Sequence, residues 1–190
     1  MSDLLSVLGP YAVNNIPIVG VEPSCTATLR SDLTELLPDD PRAHAVATGV
    51  YTLAEVLTGR APIKPRKGWA PPSLEDVIAV VQPHCHQYSV MGYTADRDLL
   101  ARAGATVTEA SGCCGLAGNW GTEKGHYDVS VKVAENSLLP ALRAAPEGAV
   151  YLADGVSCRT QAEDLVQVQG VHLAELLAAR MSTPSTPQET

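Results

Sequence analysis

Five cysteines carry most of the chemistry open to this 190-residue chain. Cys25 closes EPSC, Cys85 sits between two histidines in QPHCHQ, Cys113 and Cys114 stand side by side in SGCCGLAGNWG, and Cys158 ends DGVSC. Adjacent cysteines are awkward as core residues and strained as a disulfide, and an odd count leaves one over in any fully paired scheme. A free cysteine is most often an inert, small buried hydrophobe. Here all five fall in polar or glycine-rich sequence, which points to ligands or redox groups. Clustered thiolates repel one another and stay protonated unless a cation holds them. Soft sulfur ligands select zinc, copper(I) or iron–sulfur clusters. Gly112, Gly115, Gly118 and Gly121 leave room for a bulky group and free N–H donors for its sulfides. His84 and His86, two apart around Cys85, are candidates for a further ligand or a proton donor. Asp154 is a candidate hydrogen-bonding partner of the site, with a turn as its alternative role.

The elements that must position these residues alternate short β-branched runs with longer helical patterns, the rhythm of an α/β parallel sheet. Strands are expected at 16–22, 76–82, 105–110 and 149–154. Helices are expected at 2–14, 26–37, from Pro41 to near Gly59, around 95–103, at 123–144 and at 171–181. The proline-rich, basic stretch 60–73 reads as a surface connection, and 182–190 as a disordered tail. Each cysteine then lies just past the carboxyl end of a strand. In an open parallel sheet those ends share one rim, where ligands usually bind. Cysteines far apart in sequence can therefore meet, as parts of one thiolate cluster.

Composition narrows the function. The net charge of −8 argues against nucleic acid. MSDLLSVLGP lacks the pattern of a signal peptide and no later run is long enough to span a membrane, so a cytoplasmic setting is expected. No phosphate-binding glycine fingerprint appears. A Cys–His protease arrangement around Cys85 would leave the other strand-end cysteines unexplained.

The set EPSC, HCH, GCCGLAGNWG and DGVSCRTQ resembles the CCG cysteine-rich domain family, the type found in heterodisulfide reductase and in the iron–sulfur component of glycolate oxidase. The likeness is nearest to the C-terminal region of FAD-linked, Fe–S-binding D-lactate dehydrogenases. It implies a parallel-sheet cysteine-rich domain with helices on both faces, over 1–181, N-terminally truncated relative to the family's two-repeat domain. The end of repeat one would occupy 1–59, a linker 60–75 and repeat two 76–181. By resemblance Cys85, Cys113, Cys114 and Cys158, with Gly115 and Gly118, would hold a cluster of 4Fe–4S type, and Cys25 would close the first repeat. His84 and His86 are further metal candidates. Gly155 stands where the family's CxxC would have its first cysteine.

The resemblance further implies electron transfer, with no catalytic residue of the chain's own, inside a flavin-dependent D-2-hydroxyacid dehydrogenase system. FAD would sit on a separate domain or chain. The implied partners are that flavin domain or subunit and the missing first-repeat segment, and the periphery of a membrane respiratory chain is a further candidate contact. The alternatives are a structural zinc-binding docking module and an inactive fragment of a longer oxidase.

Overall fold

The computed structural model describes residues 1–181, so the expected tail at 182–190 lies outside the described residues. The chain opens with α1 (Ser2–Val13), β1 (Ile18–Gly20), α2 (Pro23–Arg30), α3 (Asp32–Leu36), α4 (Pro41–Gly49), β2 (Val50–Thr52) and α5 (Leu53–Leu57). It continues through β3 (Ile78–Val81), α6 (Thr94–Ala103), β4 (Thr106–Glu109), α7 (Tyr127–Ala134) and α8 (Leu138–Ala144). β5 (Val150–Leu152), α9 (Val156–Val166), β6 (Gly170–Val171) and α10 (Leu173–Met181) complete it.

Two parallel sheets result. β1 pairs with β2, Val19 opposite Tyr51. The larger sheet has the order β4-β3-β5-β6, with Val80 opposite both Thr108 and Tyr151. Alternation along β3 sends Ala79 and Val81 to one face, among Leu99, Leu100, Leu173 and Leu177 of α6 and α10. Val80 faces the other way, among Leu138, Leu139 and Ala162 of α8 and α9. The expected α/β architecture, with a parallel sheet covered by helices on both faces, is therefore the observed one. A third cluster, built on Leu5, Leu33, Ala43, Val46 and Val50, packs α1, α3 and α4 beside the small sheet.

Several element boundaries differ from expectation. The helix expected from Pro41 to near Gly59 is interrupted by β2, after which Thr52 and Glu55 cap α5 reciprocally. Arg30 ties this turn to α2, donating to both Glu55 oxygens and to the Val50 carbonyl. The helix expected at 26–37 breaks at Ser31 into α2 and α3. The long helix expected at 123–144 is two helices, because Ser137 leaves the helical path and accepts the Ser111 N–H at 2.7 Å. Its first residues stay outside α7, where the His126 ring stacks on Trp120 at 4.3 Å. α9 lies where no element was expected, and the helix expected at 171–181 begins only at Leu173, because Val171 belongs to β6.

Order in the larger sheet decides where a site can form. β3 is flanked by β4 on one side and β5 on the other, so chain direction across the sheet reverses between β3 and β5. The loops after these two strands diverge and leave a crevice at the carboxyl ends, the usual place for a ligand in an open α/β sheet.

Candidate functional site

That crevice is occupied by thiols. The loop after β3 carries His84, Cys85 and His86, the loop after β4 carries Cys113 and Cys114, and the first turn of α9 carries Cys158. All of them line one cavity of about 750 Å³, together with Leu116, Gly118, Val156 and Ser157. From the small sheet, the N-terminal turn of α2 adds Glu22, Ser24 and Cys25 to the same wall. The structure thus brings together all five cysteines and both histidines of the candidate set. Cys25 is exposed, Cys85 and Cys113 are half-buried, and Cys114 and Cys158 are buried.

The thiols neighbour one another pairwise. Cys113 lies beside both Cys114 and Cys85, and Cys114 beside Cys158, close enough for each to perturb its neighbour's ionisation. Cys113 Sγ also accepts the Gly115 N–H at 3.3 Å. Thiol donation from Cys114 and Cys85 holds Cys113 far below the usual thiol range. The same bonds, with burial, push Cys85 and Cys114 up. A second thiolate beside Cys113 would meet like charge, and a bound cation would relieve that repulsion. Among the described residues, no group of three or more His, Cys, Asp or Glu stands ready to hold a metal ion. The thiols lie along one cavity wall rather than in a closed cage.

His84 is fixed from both ends. Its Nδ1 accepts the His86 N–H at 3.2 Å, so in the neutral ring Nε2 carries the proton and faces Ser157 Oγ at 3.3 Å. Burial lowers its pKa and favours that neutral form. The ring lies against Gly155: a Cβ there would sit 2.3 Å from His84 Cδ2 and 3.3 Å from Cys158 Sγ. Gly155 has an ordinary φ of −70°. Close approach, not backbone conformation, is what excludes a side chain. The imidazole fills the place that a side chain at 155 would take.

Gly118 lines the cavity, whereas Gly115 serves the site from behind it. At φ +94° its missing Cβ would fall 2.2 Å from the Ser130 carbonyl, so glycine lets the cysteine loop seat directly on α7. Asp154 turns away from the thiols; its Oδ1 accepts the Leu173 N–H at 2.8 Å. His172 Nε2 lies 2.7 Å from the Val21 carbonyl, His44 Nε2 2.9 Å from the Pro38 carbonyl, and His126 Nδ1 3.1 Å from the Trp120 carbonyl.

Two residues of the site carry no cysteine-like signature. Gln82, buried after β3, donates through Nε2 to the carbonyls of Pro83 and Gly112, each at 3.0 Å. It binds the Cys85 loop to the Cys113 loop. A polar residue closing the apolar run IAVV is the signal that marks it. Glu22 caps α2, accepting from the Ser24 hydroxyl and, at 2.9 Å, from the Cys25 N–H. Burial pushes its carboxyl up, but these two bonds outweigh burial and keep it below the ordinary range.

Among the described residues no helix is long and apolar enough to cross a membrane. No family model matches the chain, and no solved structure matches it significantly. Two curated proteins do. The chain is 28% identical over 165 residues to a D-2-hydroxyglutarate dehydrogenase of Pseudomonas putida, and 28% identical over 159 residues to one of Escherichia coli. The aligned residues are 85% and 81% of this chain but only 15% and 14% of those proteins. The chain is thus distantly similar to a small part of two much longer 2-hydroxyacid dehydrogenases.

Proposed function

We propose that the chain is an iron–sulfur-binding electron-transfer module of a flavin-dependent D-2-hydroxyacid dehydrogenase system. The observation that carries this reading is the gathering of four thiols, from the segments after β3 and β4 and from the first turn of α9, on one cavity at the carboxyl ends of the strands. The donor chemistry fits: soft sulfurs gathered on one cavity suit an iron–sulfur cluster or zinc. The names of the two dehydrogenase relatives supply the 2-hydroxyacid part of the proposal.

Cys85, Cys113, Cys114 and Cys158 would hold the cluster, with Cys25 at the rim. When bound, such a cluster accepts and passes on single electrons. This chain's own residues prepare the place. Leu116 and Val156 give the cavity apolar wall, the Gly115 N–H offers a donor to Cys113 sulfur, and Gln82 holds the two thiol loops together. His84 packs into the Gly155 notch and closes the wall beside Cys158. Oxidation of the acid would belong to a flavin-bearing partner domain or subunit. The division into 1–59, 60–75 and 76–181 is part of the same proposal, the small sheet with Cys25 belonging to the first segment.

The test is anaerobic reconstitution of the full chain with iron and sulfide. Broad sulfur-to-iron charge-transfer absorption that bleaches with dithionite is expected. Cys113→Ser and Cys114→Ser should abolish it, and Cys25→Ser should weaken it less. Stoichiometric zinc without iron or sulfide after the same treatment would refute the electron-transfer reading in favour of a structural zinc module.

A further inference from the structure

Cys85 and Cys113 differ from the buried thiols in access. Both are half-buried, and they stand between two clefts. One is the 750 Å³ cavity already described. The other, about 510 Å³, opens on the far side against Tyr88, Arg97, Glu109 and Ser111. Cys85 and Cys113 border both clefts, whereas Cys114 and Cys158 border only the larger one, so a small reagent can reach this pair from either cleft. The two side chains line the same pair of clefts, and Gln82 ties their segments together through the carbonyls of Pro83 and Gly112.

We propose that Cys85 and Cys113 form a reversible disulfide in the metal-free chain, giving the site a second, thiol-based redox state. The co-reactant is a low-molecular-weight disulfide, RSSR. The Cys113 thiolate attacks one sulfur of RSSR, a Cys113–SR bond forms, and RS⁻ leaves. The Cys85 thiolate then attacks the Cys113 sulfur, the Cys85–Cys113 bond forms, and a second RS⁻ leaves. Two protein thiols are oxidised, one RSSR is reduced, and the two thiol protons end on two RSH. Excess RSH reverses both steps.

Neither of the other pairs in the row competes. Neighbouring Cα atoms are about 3.8 Å apart across a trans peptide, short of the roughly 4.4 Å at which ordinary disulfides begin. That disfavours Cys113–Cys114. Cys114 and Cys158 border only the larger cavity and are both buried, so they offer a reagent less sulfur surface than the half-buried pair. The proposal concerns the chain without metal, so it stands or falls separately from the cluster.

The experiment uses the whole chain, reduced and chelator-treated, then incubated with glutathione disulfide without oxygen. After N-ethylmaleimide blocking, trypsin places Cys85 in 68–97, Cys113 and Cys114 in 103–124, and Cys158 in 144–159. The expected product is a 68–97/103–124 cross-link that dithiothreitol separates. It should persist in Cys114→Ser and vanish in Cys113→Ser. Fragmentation of the wild-type cross-link, with N-ethylmaleimide expected on Cys114 and not on Cys113, decides by itself, so no variant need fold. A bond inside 103–124, a link to 144–159 or to the Cys25 peptide, glutathione adducts without a cross-link, or a cross-link surviving in Cys113→Ser would each overturn the proposal.

Discussion

Gly155→Ala tests the seating of His84. The new Cβ would lie 2.3 Å from Cδ2, about 1.1 Å inside the 3.4 Å where ordinary contact begins. His84 is only 5% exposed, so the ring cannot swing into solvent freely. Moving it stretches the bonds at both nitrogens, to the His86 N–H and Ser157 Oγ. Overpacking a tight site costs about 1–3 kcal/mol, and each weakened neutral hydrogen bond about 0.5–1.5 kcal/mol. A loss of about 2–4 kcal/mol is therefore expected, against about 0.5–1 kcal/mol for Gly to Ala at a helix N-cap without a clash. The assay is urea unfolding of the metal-free chain, arranged as a double-mutant cycle with His84→Ala. Once the ring is gone, Gly155→Ala should cost less than about 0.5 kcal/mol above that N-cap term. Equal cost in both backgrounds would refute the reasoning and show that the ring does not occupy the notch. The same arithmetic bears on a cysteine at 155: it should retain metal better only when His84 is made small in the same molecule.

Asp96 gives a pH-dependent prediction. Burial, reinforced by the Asp154 carboxylate, pushes its carboxyl from 3.8 to about 7. The folded chain thus holds an extra proton relative to the unfolded one between those values, and stability from this group falls as pH rises toward 7. The shift of about three units corresponds to at most on the order of 4 kcal/mol. Asp96→Asn, whose amide oxygen can still accept from Gln87 Nε2, should stabilise the protein strongly at pH 8 and little near pH 4; equal gains in urea midpoint at both pH values would contradict this. Gln82→Leu strips the shared donor from the Pro83 and Gly112 carbonyls and should cost about 1 kcal/mol in unfolding experiments, because an orphaned Oε1 disappears with the donor. It should also slow the Cys85–Cys113 cross-link; an unchanged rate would mean that the loops hold their places without it.

How far the sequence reveals this structure depends on the length and surroundings of each element. IAVV in β3 is legible because a strand buried on both faces reads as a continuous apolar run. β2 is not: three residues between two helices leave no period to detect. α9 hides for another reason. VSCRTQAEDLV is mostly polar, and its helical start lies inside a stretch whose Ser and Cys suggest a loop. Strand-end position groups the cysteines because the fold class alone fixes a common rim. The pairing of His84 with the notch at Gly155 is illegible, since it joins residues 71 positions apart through a contact only the folded backbone defines. Gln82 is hidden likewise, because its task is to bond two carbonyls rather than to present a reactive group.

The order β4-β3-β5-β6 also sets a schedule. As the chain leaves the ribosome, β3 and β4 can pair first, bringing Cys85 toward Cys113 and Cys114. The other edge of β3 then waits, unpaired, until β5 is made. Cys158 follows later still, on a helix that can dock only once β5 is in place. Non-local pairings of this kind form slowly, and an open strand edge during synthesis invites wrong partners. A nascent chain thus exposes an incomplete thiol set for part of its synthesis. If the thiols take up a cofactor as proposed, its loading would come after β5 docks, and a chaperone that shields the β3 edge would act in the interval before it.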